Sequence, residues 1–185
     1  MNFLHLLPVG NVEAAWLEGL RPALAQAFGV PCRLLPGALD PAFAFQPNRQ
    51  QYHSTEILDR LRARLQPDTW RLLGVTSADL CIPILTFVFG EAQLNGACAL
   101  VSTHRLRQEF YGLPPDPALL RDRLLKEAIH ELGHTLELQH CDDYTCAMAA
   151  AHAVEWIDLR SPGFCQHCRA RILSQQAEKQ WVSAR

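Results

Sequence analysis

Two histidines four residues apart, with a third six residues later, place the strongest constraint on how this chain folds. The motif runs His130-Glu131-Leu132-Gly133-His134, and His140 follows it. On a helix, residues i and i+4 share a face, so His130 and His134 can point at one metal ion. A continuous helix would carry His140 about 15 Å along the axis from His130, too far to share that ion. If His140 is a third ligand, the helix must end between His134 and His140 and the chain must turn back.

Zinc is the metal that suits this arrangement. It binds neutral histidine nitrogens at about 2.0–2.1 Å, and catalytic zinc sites keep one coordination position open for water. Glu131 lies about 100° around the helix from His130, so it can stand beside that water as a general base without binding the metal. The spacing leaves two alternatives open: a site with only two histidines, or polar residues on a helix surface that form no site.

Four of the seven cysteines are clustered just after the third histidine. Cys141, Cys146, Cys165 and Cys168 are separated by four, eighteen and two residues. Two close pairs joined by a loop are what a tetrahedral four-cysteine zinc site requires, and such closed sites are structural. The alternative is that these cysteines form two disulfides or remain free thiols. In an intracellular chain, clustered cysteines bind a metal more often than they form disulfides. The other three cysteines lie in or beside apolar runs and are predicted to be small buried hydrophobes.

The remaining sequence predicts an α/β or α+β fold with one mixed sheet. Asp116-Pro117 is an N-cap and first-turn pair that opens a helix leading into the histidine motif. Asn95-Gly96 is a hairpin-like signal between the last two apolar runs. The order of elements is β-α-β-α, then strands, then a helix. The predicted strands are 3–7, 32–35, 71–75, 84–89 and 97–101, and the other helices are 12–28, 55–65 and 169–181.

The composition of the chain argues against two classes of binding partner, nucleic acids and membranes. Seventeen basic and nineteen acidic residues give a net charge of −2, which shows no overall footprint for nucleic acid. No apolar run approaches the 18–20 residues or so of a membrane span, so no membrane partner is expected. The first eight residues lack the basic region of a signal peptide, which predicts a cytoplasmic protein. We expect a monomer.

The combined motifs resemble one family of zinc peptidases. HExxHxxxxxH resembles the metzincins, and the further pattern is similar to that of the archaemetzincins. In that pattern a cysteine directly follows the third histidine, and a second cysteine, a methionine and a CxxC come later. Segments 73–76, 87–92 and 101–102 also look like strands of that family. The motif residues after His130–His134 are His140-Cys141, Cys146-Ala147-Met148 and Cys165-Gln166-His167-Cys168.

The resemblance implies a compact metzincin-like domain over residues 1–185, with a mixed twisted sheet of about four to five strands. Residues 1–139 would form a sheet and helix subdomain that includes the active-site helix, and residues 140–185 a zinc-binding subdomain. Two zinc ions per chain are implied. His130, His134 and His140 would hold the catalytic ion above Met148 of the Met-turn, and the four clustered cysteines would hold the second, structural ion.

The implied activity is that of a metallopeptidase, either an endopeptidase or an aminopeptidase-type hydrolase. It would hydrolyse peptide bonds of a peptide or protein substrate through a zinc-bound water that Glu131 activates. An exposed sheet edge, expected between residues 84 and 101, would hold the substrate as an added antiparallel strand. Tyr144, four residues after His140, is a weaker candidate for an outer ligand or an oxyanion donor.

Two departures from the family pattern stand out. Glu137 occupies the position where metzincins have a glycine that ends the helix with a positive φ. A glutamate there costs about 1–2 kcal/mol, which zinc binding can offset, so we expect the turn to be kept. Sixteen residues separate Met148 from Cys165 where the family has seventeen, a difference that a loop absorbs.

Two other functions compete with the archaemetzincin interpretation. A SprT-like zinc peptidase would also join HExxH to a cysteine zinc module, but its third catalytic ligand would not be His140. A zinc-stabilised binding protein with an impaired active site would keep the cysteine zinc and leave the histidines inert. Glu137 is the only sequence feature that favours the binding protein.

Overall fold

The computed structural model describes the backbone of residues 1–183 and the side chains of residues 1–174. Within this part of the chain, no helix is long and apolar enough to cross a membrane. The strands are β1 (Phe3–Val9), β2 (Cys32–Leu34), β3 (Phe45–Gln46), β4 (Gln51–His53), β5 (Thr69–Thr76), β6 (Leu80–Ile82), β7 (Leu85–Val88), β8 (Gly90–Ala92) and β9 (Cys98–Ser102). The α-helices are α1 (Ala14–Phe28), α2 (Ser54–Arg62), α3 (Pro117–Thr135), α4 (Val154–Leu159) and α5 (Gln166–Ser183).

The main sheet has five strands in the order β2-β1-β5-β9-β8. Its first four strands are parallel, and β8 runs antiparallel to β9 at one edge. Parallel strands need crossover connections, and α1 and α2 each lie between strands of this sheet along the chain. The predicted α/β class and the mixed sheet of four to five strands are therefore confirmed.

Alternating side chains divide the core into two layers. One face of the central strands, which includes Leu73 and Leu4, packs in a single cluster with Leu17 of α1 and Leu132 of α3. The opposite face, which includes Leu72, packs with residues of α2. Because successive strand residues point to opposite faces, a sheet buried on both sides requires nearly continuous apolar strands. Helix α3, which carries the histidine motif, thus lies on the same face as α1.

The predicted hairpin around Asn95-Gly96 forms, but with a different first strand. Residues 84–89 do not make a single strand that pairs with β9. Instead β7 pairs with β6 in a second, four-stranded sheet of order β3-β4-β6-β7, and β8 supplies the partner of β9. The sequence analysis was wrong here because one apolar run contains a strand of one sheet and leads into a strand of the other.

The helix that carries the histidine motif begins and ends as predicted. The Asp116 carboxylate caps α3 by accepting hydrogen bonds from the backbone N–H groups of Ala118 and Leu119, at 3.0 and 2.9 Å. The last helical residue is Thr135, so the helix ends between His134 and His140. This confirms the break that a shared metal ion requires.

Glu137 reverses the chain after α3. Its φ is 63°, in the left-handed region. The N–H of Glu137 donates to the His134 carbonyl at 3.0 Å, and the N–H of Leu138 donates to the Gly133 carbonyl at 3.2 Å. These two bonds form a Schellman motif, in which a left-handed residue pairs the last carbonyls of the helix. The glutamate therefore adopts the conformation for which the family pattern has glycine.

We expect Glu137→Gly to be more stable than Glu137→Ala by about 1 kcal/mol, since glycine adopts a positive φ without the steric cost of a Cβ. Both variants remove the carboxylate, so the comparison isolates the backbone conformation. Urea unfolding at a fixed zinc concentration measures the difference. A Glu137→Ala variant of equal or greater stability would show that the left-handed turn carries no strain.

Candidate metal centres

The ring nitrogens of the three motif histidines converge. One ring nitrogen from each of His130, His134 and His140 lies within 4.8 Å of the others. The Nε2 atoms of His130 and His134 are 3.1 Å apart. Two nitrogens on one tetrahedral zinc ion at about 2.0–2.1 Å would be about 3.3 Å apart, so the geometry fits zinc.

Backbone carbonyls orient two of these rings. Nδ1 of His130 lies 2.8 Å from the Ala147 carbonyl, and Nδ1 of His134 lies 2.8 Å from the Leu138 carbonyl. A carbonyl only accepts hydrogen bonds, so each Nδ1 carries the proton and each Nε2 is left with a lone pair. Metal-binding histidines are usually held in this way, which sets both the tautomer and the ring orientation.

Burial decreases across the cluster from His130 to His140. His130 is buried, His134 is half-buried and His140 is exposed. Burial lowers the pKa of all three, most strongly for His130. The rings are therefore held in the neutral form that binds a metal, and the site opens to solvent on the side of His140.

Glu131 is buried next to the edge strand of the main sheet. A Cβ added to Gly90 would lie 2.7 Å from Cγ and 2.8 Å from Oε1 of Glu131, so only glycine allows this close approach. Burial raises the pKa of Glu131 well above its usual value, and the Glu127 carboxyl raises it further, while Arg160 opposes both. A carboxyl with a raised pKa suits proton transfer near neutral pH.

Met148 packs directly against α3, the helix that carries His130 and His134. We use the name Met-turn for residues 145–149, in which Met148 is completely buried. A Cβ on Gly133 would lie 2.3 Å from the Met148 sulfur, so the helix and the Met-turn touch at the one helical position without a side chain. Because Gly133 precedes His134, this contact lies immediately under the histidine cluster.

The four clustered cysteines form a second compact group. The Sγ atoms of Cys141 and Cys165 are 3.7 Å apart, and those of Cys146 and Cys168 are 3.8 Å apart. Two sulfurs on one tetrahedral zinc ion at about 2.3 Å would be about 3.8 Å apart. All seven cysteines of the chain lie within the described residues and none is in a disulfide, so of the two alternatives to a zinc site the two disulfides find no support.

Backbone N–H groups point at these sulfurs. Cys146 Sγ accepts from the N–H groups of Cys165 and Met148, at 3.3 and 3.4 Å. The N–H of Cys168 donates to Cys165 Sγ at 3.5 Å, and this bond is the main cause that lowers the pKa of Cys165 to about 7. Hydrogen bonds to sulfur stabilise a thiolate, which is the form that binds zinc.

The two clusters share the Met-turn. Cys146 belongs to the cysteine cluster, the carbonyl of Ala147 orients His130, and Met148 supports the helix. The N–H of Cys141, directly after His140, donates to the Met148 carbonyl at 2.9 Å. The third histidine is therefore attached to the same short turn as the cysteines.

Two further residues bear on the site, one that the sequence analysis named and one that it missed. Tyr144, the weaker candidate, is 65% exposed and lies at the surface. Arg160 was not identified, although it is buried and its charge acts on all three histidines. No sequence motif near Arg160 indicates a role at the site. Its partner Glu127 lies one turn before Glu131, on the helix that carries the histidine motif.

Several known proteins are similar to this chain in sequence and in structure. Residues 35–174 match the model of Peptidase family M54. The archaemetzincin of Methanocaldococcus jannaschii is 42% identical over 166 residues, which cover 89% of each chain. A crystal structure of archaemetzincin from Archaeoglobus fulgidus superposes with a TM-score of 0.78 at 35% identity, covering 91% of this chain and 99% of that one. A zinc-dependent peptidase from Methanocorpusculum labreanum gives a TM-score of 0.84 at 29% identity, with the same coverage.

Gly133→Ala should lower the free energy of unfolding by about 1–3 kcal/mol, because the new Cβ would overlap the Met148 sulfur. Helix propensity alone predicts the opposite, a gain of up to about 1 kcal/mol. Gly19→Ala in α1 is the matched control, since its Cβ would meet its nearest neighbour, Arg121 Nε, at 3.7 Å. Denaturant unfolding of both variants checks the prediction, and a stabilised Gly133→Ala chain would contradict it.

Cys165→Ser should remove the zinc of the cysteine cluster and also lower zinc occupancy at the histidines, because the Met-turn joins the two. His134→Ala should remove only the histidine zinc. Zinc content of metal-replete protein measures both effects. We expect two ions per wild-type chain, one in His134→Ala and less than one in Cys165→Ser. A full remaining zinc at the histidines of Cys165→Ser would show that the sites are independent.

Proposed function

The chain belongs to Peptidase family M54, the archaemetzincin family of zinc metallopeptidases, and from that premise we propose that it hydrolyses peptide bonds at a zinc ion held by His130, His134 and His140. The convergence of the three imidazoles carries this proposal. Three neutral nitrogens on one side of an otherwise solvent-facing position leave a place for water and substrate, as catalytic zinc sites do.

Glu131 is proposed as the general base. When bound, zinc lowers the pKa of a water molecule and polarises the substrate carbonyl. Glu131 accepts the proton of the attacking water and delivers it to the leaving amine. The buried position of its carboxyl raises its pKa, which makes the carboxylate a stronger acceptor for the proton of the water. A cation at the adjacent histidines favours the ionised form that the first step needs.

The edge strand β8 is the proposed place for the substrate backbone. It is the outermost strand of the main sheet, and Gly90 within it lies against Glu131. A peptide that pairs with an exposed edge gains main-chain hydrogen bonds without a sequence requirement. A peptide or protein segment added there would pass beside the proposed base.

The cysteine cluster is proposed to hold a structural zinc ion. Four sulfurs close the coordination shell, and Cys146 and Cys168 are buried, so no position is left for substrate. Its role would be mechanical, since it anchors the Met-turn and the residue that follows His140.

The competing functions lose their support in this fold. Glu137 was the one feature that favoured a binding protein, and it forms the required turn and leaves His140 beside the other histidines. A SprT-like site would place a ligand other than His140 in the third position, whereas His140 completes the cluster here.

Glu131→Gln should reduce peptide hydrolysis about 10²- to 10⁴-fold, because the amide cannot accept the proton. The amide has nearly the same shape, so the contact with Gly90 and the zinc content should be preserved. Turnover of a peptide library and zinc content, both measured against wild type, check this. Loss of zinc together with activity would point to a structural role, and retained activity would remove Glu131 from the mechanism.

A further inference from the structure

A buried ion pair lies behind the histidine cluster and has no role in the mechanism so far. Nη1 of Arg160 donates to Oε2 of Glu127 at 2.8 Å, and the two side chains are only 1% and 5% exposed. Arg160 Nε is buried as well and has no hydrogen-bond partner among the described residues. Burying two charges is expensive, and a buried pair is weak evidence for stability in itself. The pair therefore calls for another explanation.

The pair is the inner end of a polar seam between α3 and the end of α4. Arg123 binds the Asp158 carboxylate through two hydrogen bonds of 2.7 Å, and Lys126 Nζ donates to the Asp158 carbonyl at 3.2 Å. Glu127, the residue after Lys126 on α3, binds Arg160 three residues before His130. The seam attaches the end of α4 to the outer part of the active-site helix.

The residues directly after Arg160 pair with the Met-turn. The N–H of Ser161 donates to the Thr145 carbonyl at 2.7 Å, and the N–H of Ala147 donates to the Gly163 carbonyl at 2.9 Å. Ala147 is the residue whose carbonyl binds Nδ1 of His130. An uninterrupted series of contacts therefore runs from Glu127 through Arg160 and the Met-turn back to His130, which is three residues after Glu127 on the same helix.

We propose that Arg160 is a positioning residue of the catalytic metal site: its bond to Glu127 holds residues 161–163 against the Met-turn and so fixes the Ala147 carbonyl that orients His130. The inference rests on the proposed function of the three histidines as zinc ligands. Groups that orient a metal-binding histidine through its second nitrogen typically change metal affinity by about 10- to 100-fold when they are lost.

The direction in which metal affinity changes distinguishes a positioning role of Arg160 from an effect of its charge. Arg160 is a cation close to the place of a dication, so removing its charge alone would strengthen metal binding. Loss of positioning would weaken it. In Arg160→Met the two effects oppose each other. In the double variant Glu127→Leu/Arg160→Met the net charge of the pair stays zero, as in wild type, so only positioning changes. The double variant also leaves no unpaired buried charge, which protects its folding.

The test measures metal affinity at the histidines with zinc kept in the cysteine cluster. Cobalt(II) is titrated into full-length wild type, both Arg160 variants and Asp158→Asn, and its visible ligand-field bands report the geometry of the histidine site. Asp158→Asn is the matched control, because it breaks the neighbouring Arg123 pair in the same seam and leaves Arg160 bound to Glu127. Retained cysteine-bound zinc confirms that each variant is folded.

We expect the double variant to bind cobalt at the histidines about tenfold or more weakly, with altered ligand-field bands and the cysteine zinc unchanged. Asp158→Asn should match wild type. Equal affinity in the double variant, or an equal loss at both metal sites, would overturn the inference and leave the proposed function standing. A wild-type chain that binds no metal at the histidines would overturn both.

Discussion

The reversal of the chain at Glu137 is the constraint on which the rest of the site depends. Without it, α3 would continue and carry His140 about 15 Å from His130. Two hydrogen bonds from residues after the helix to the His134 and Gly133 carbonyls hold the reversal in place. A glutamate pays the steric cost of the left-handed conformation here. The convergence of three imidazoles thus requires local backbone strain, which metal binding is well able to offset.

The Met-turn connects the histidine cluster to the rest of the fold. It contacts α3 at Gly133, supplies the carbonyl that orients His130, and contributes Cys146 to the second cluster. One turn therefore serves a solvent-open group of nitrogens and a closed group of sulfurs. Its position is set by contacts with α3, with the His130 ring and with the cysteine cluster.

Arg160 is the cation that lies beside the two buried glutamates of α3. Glu127 and Glu131 lie one helical turn apart, both buried, and burial raises the pKa of each. Arg160 binds the first and acts electrostatically on the second. Two buried carboxyls without a cation would be difficult to ionise together, so Arg160 makes one of them available in its charged form. The same arginine anchors the segment beside the Met-turn, which joins the electrostatic and mechanical demands of the site in one side chain.

The two clusters of histidines and cysteines could be predicted from the sequence, because residue chemistry and helical spacing are local properties of His130 to Cys168. The break before His140 followed from distance alone, and the Asp116 cap from its side chain. Other features depended on pairings between distant segments. Nothing local showed that residues 84–89 would join a second sheet and leave β8 as the edge strand beside Glu131. Nor could the sequence show that Arg160 would reach Glu127, 33 residues away, since an ion pair of this kind exists only once the core has excluded water around it.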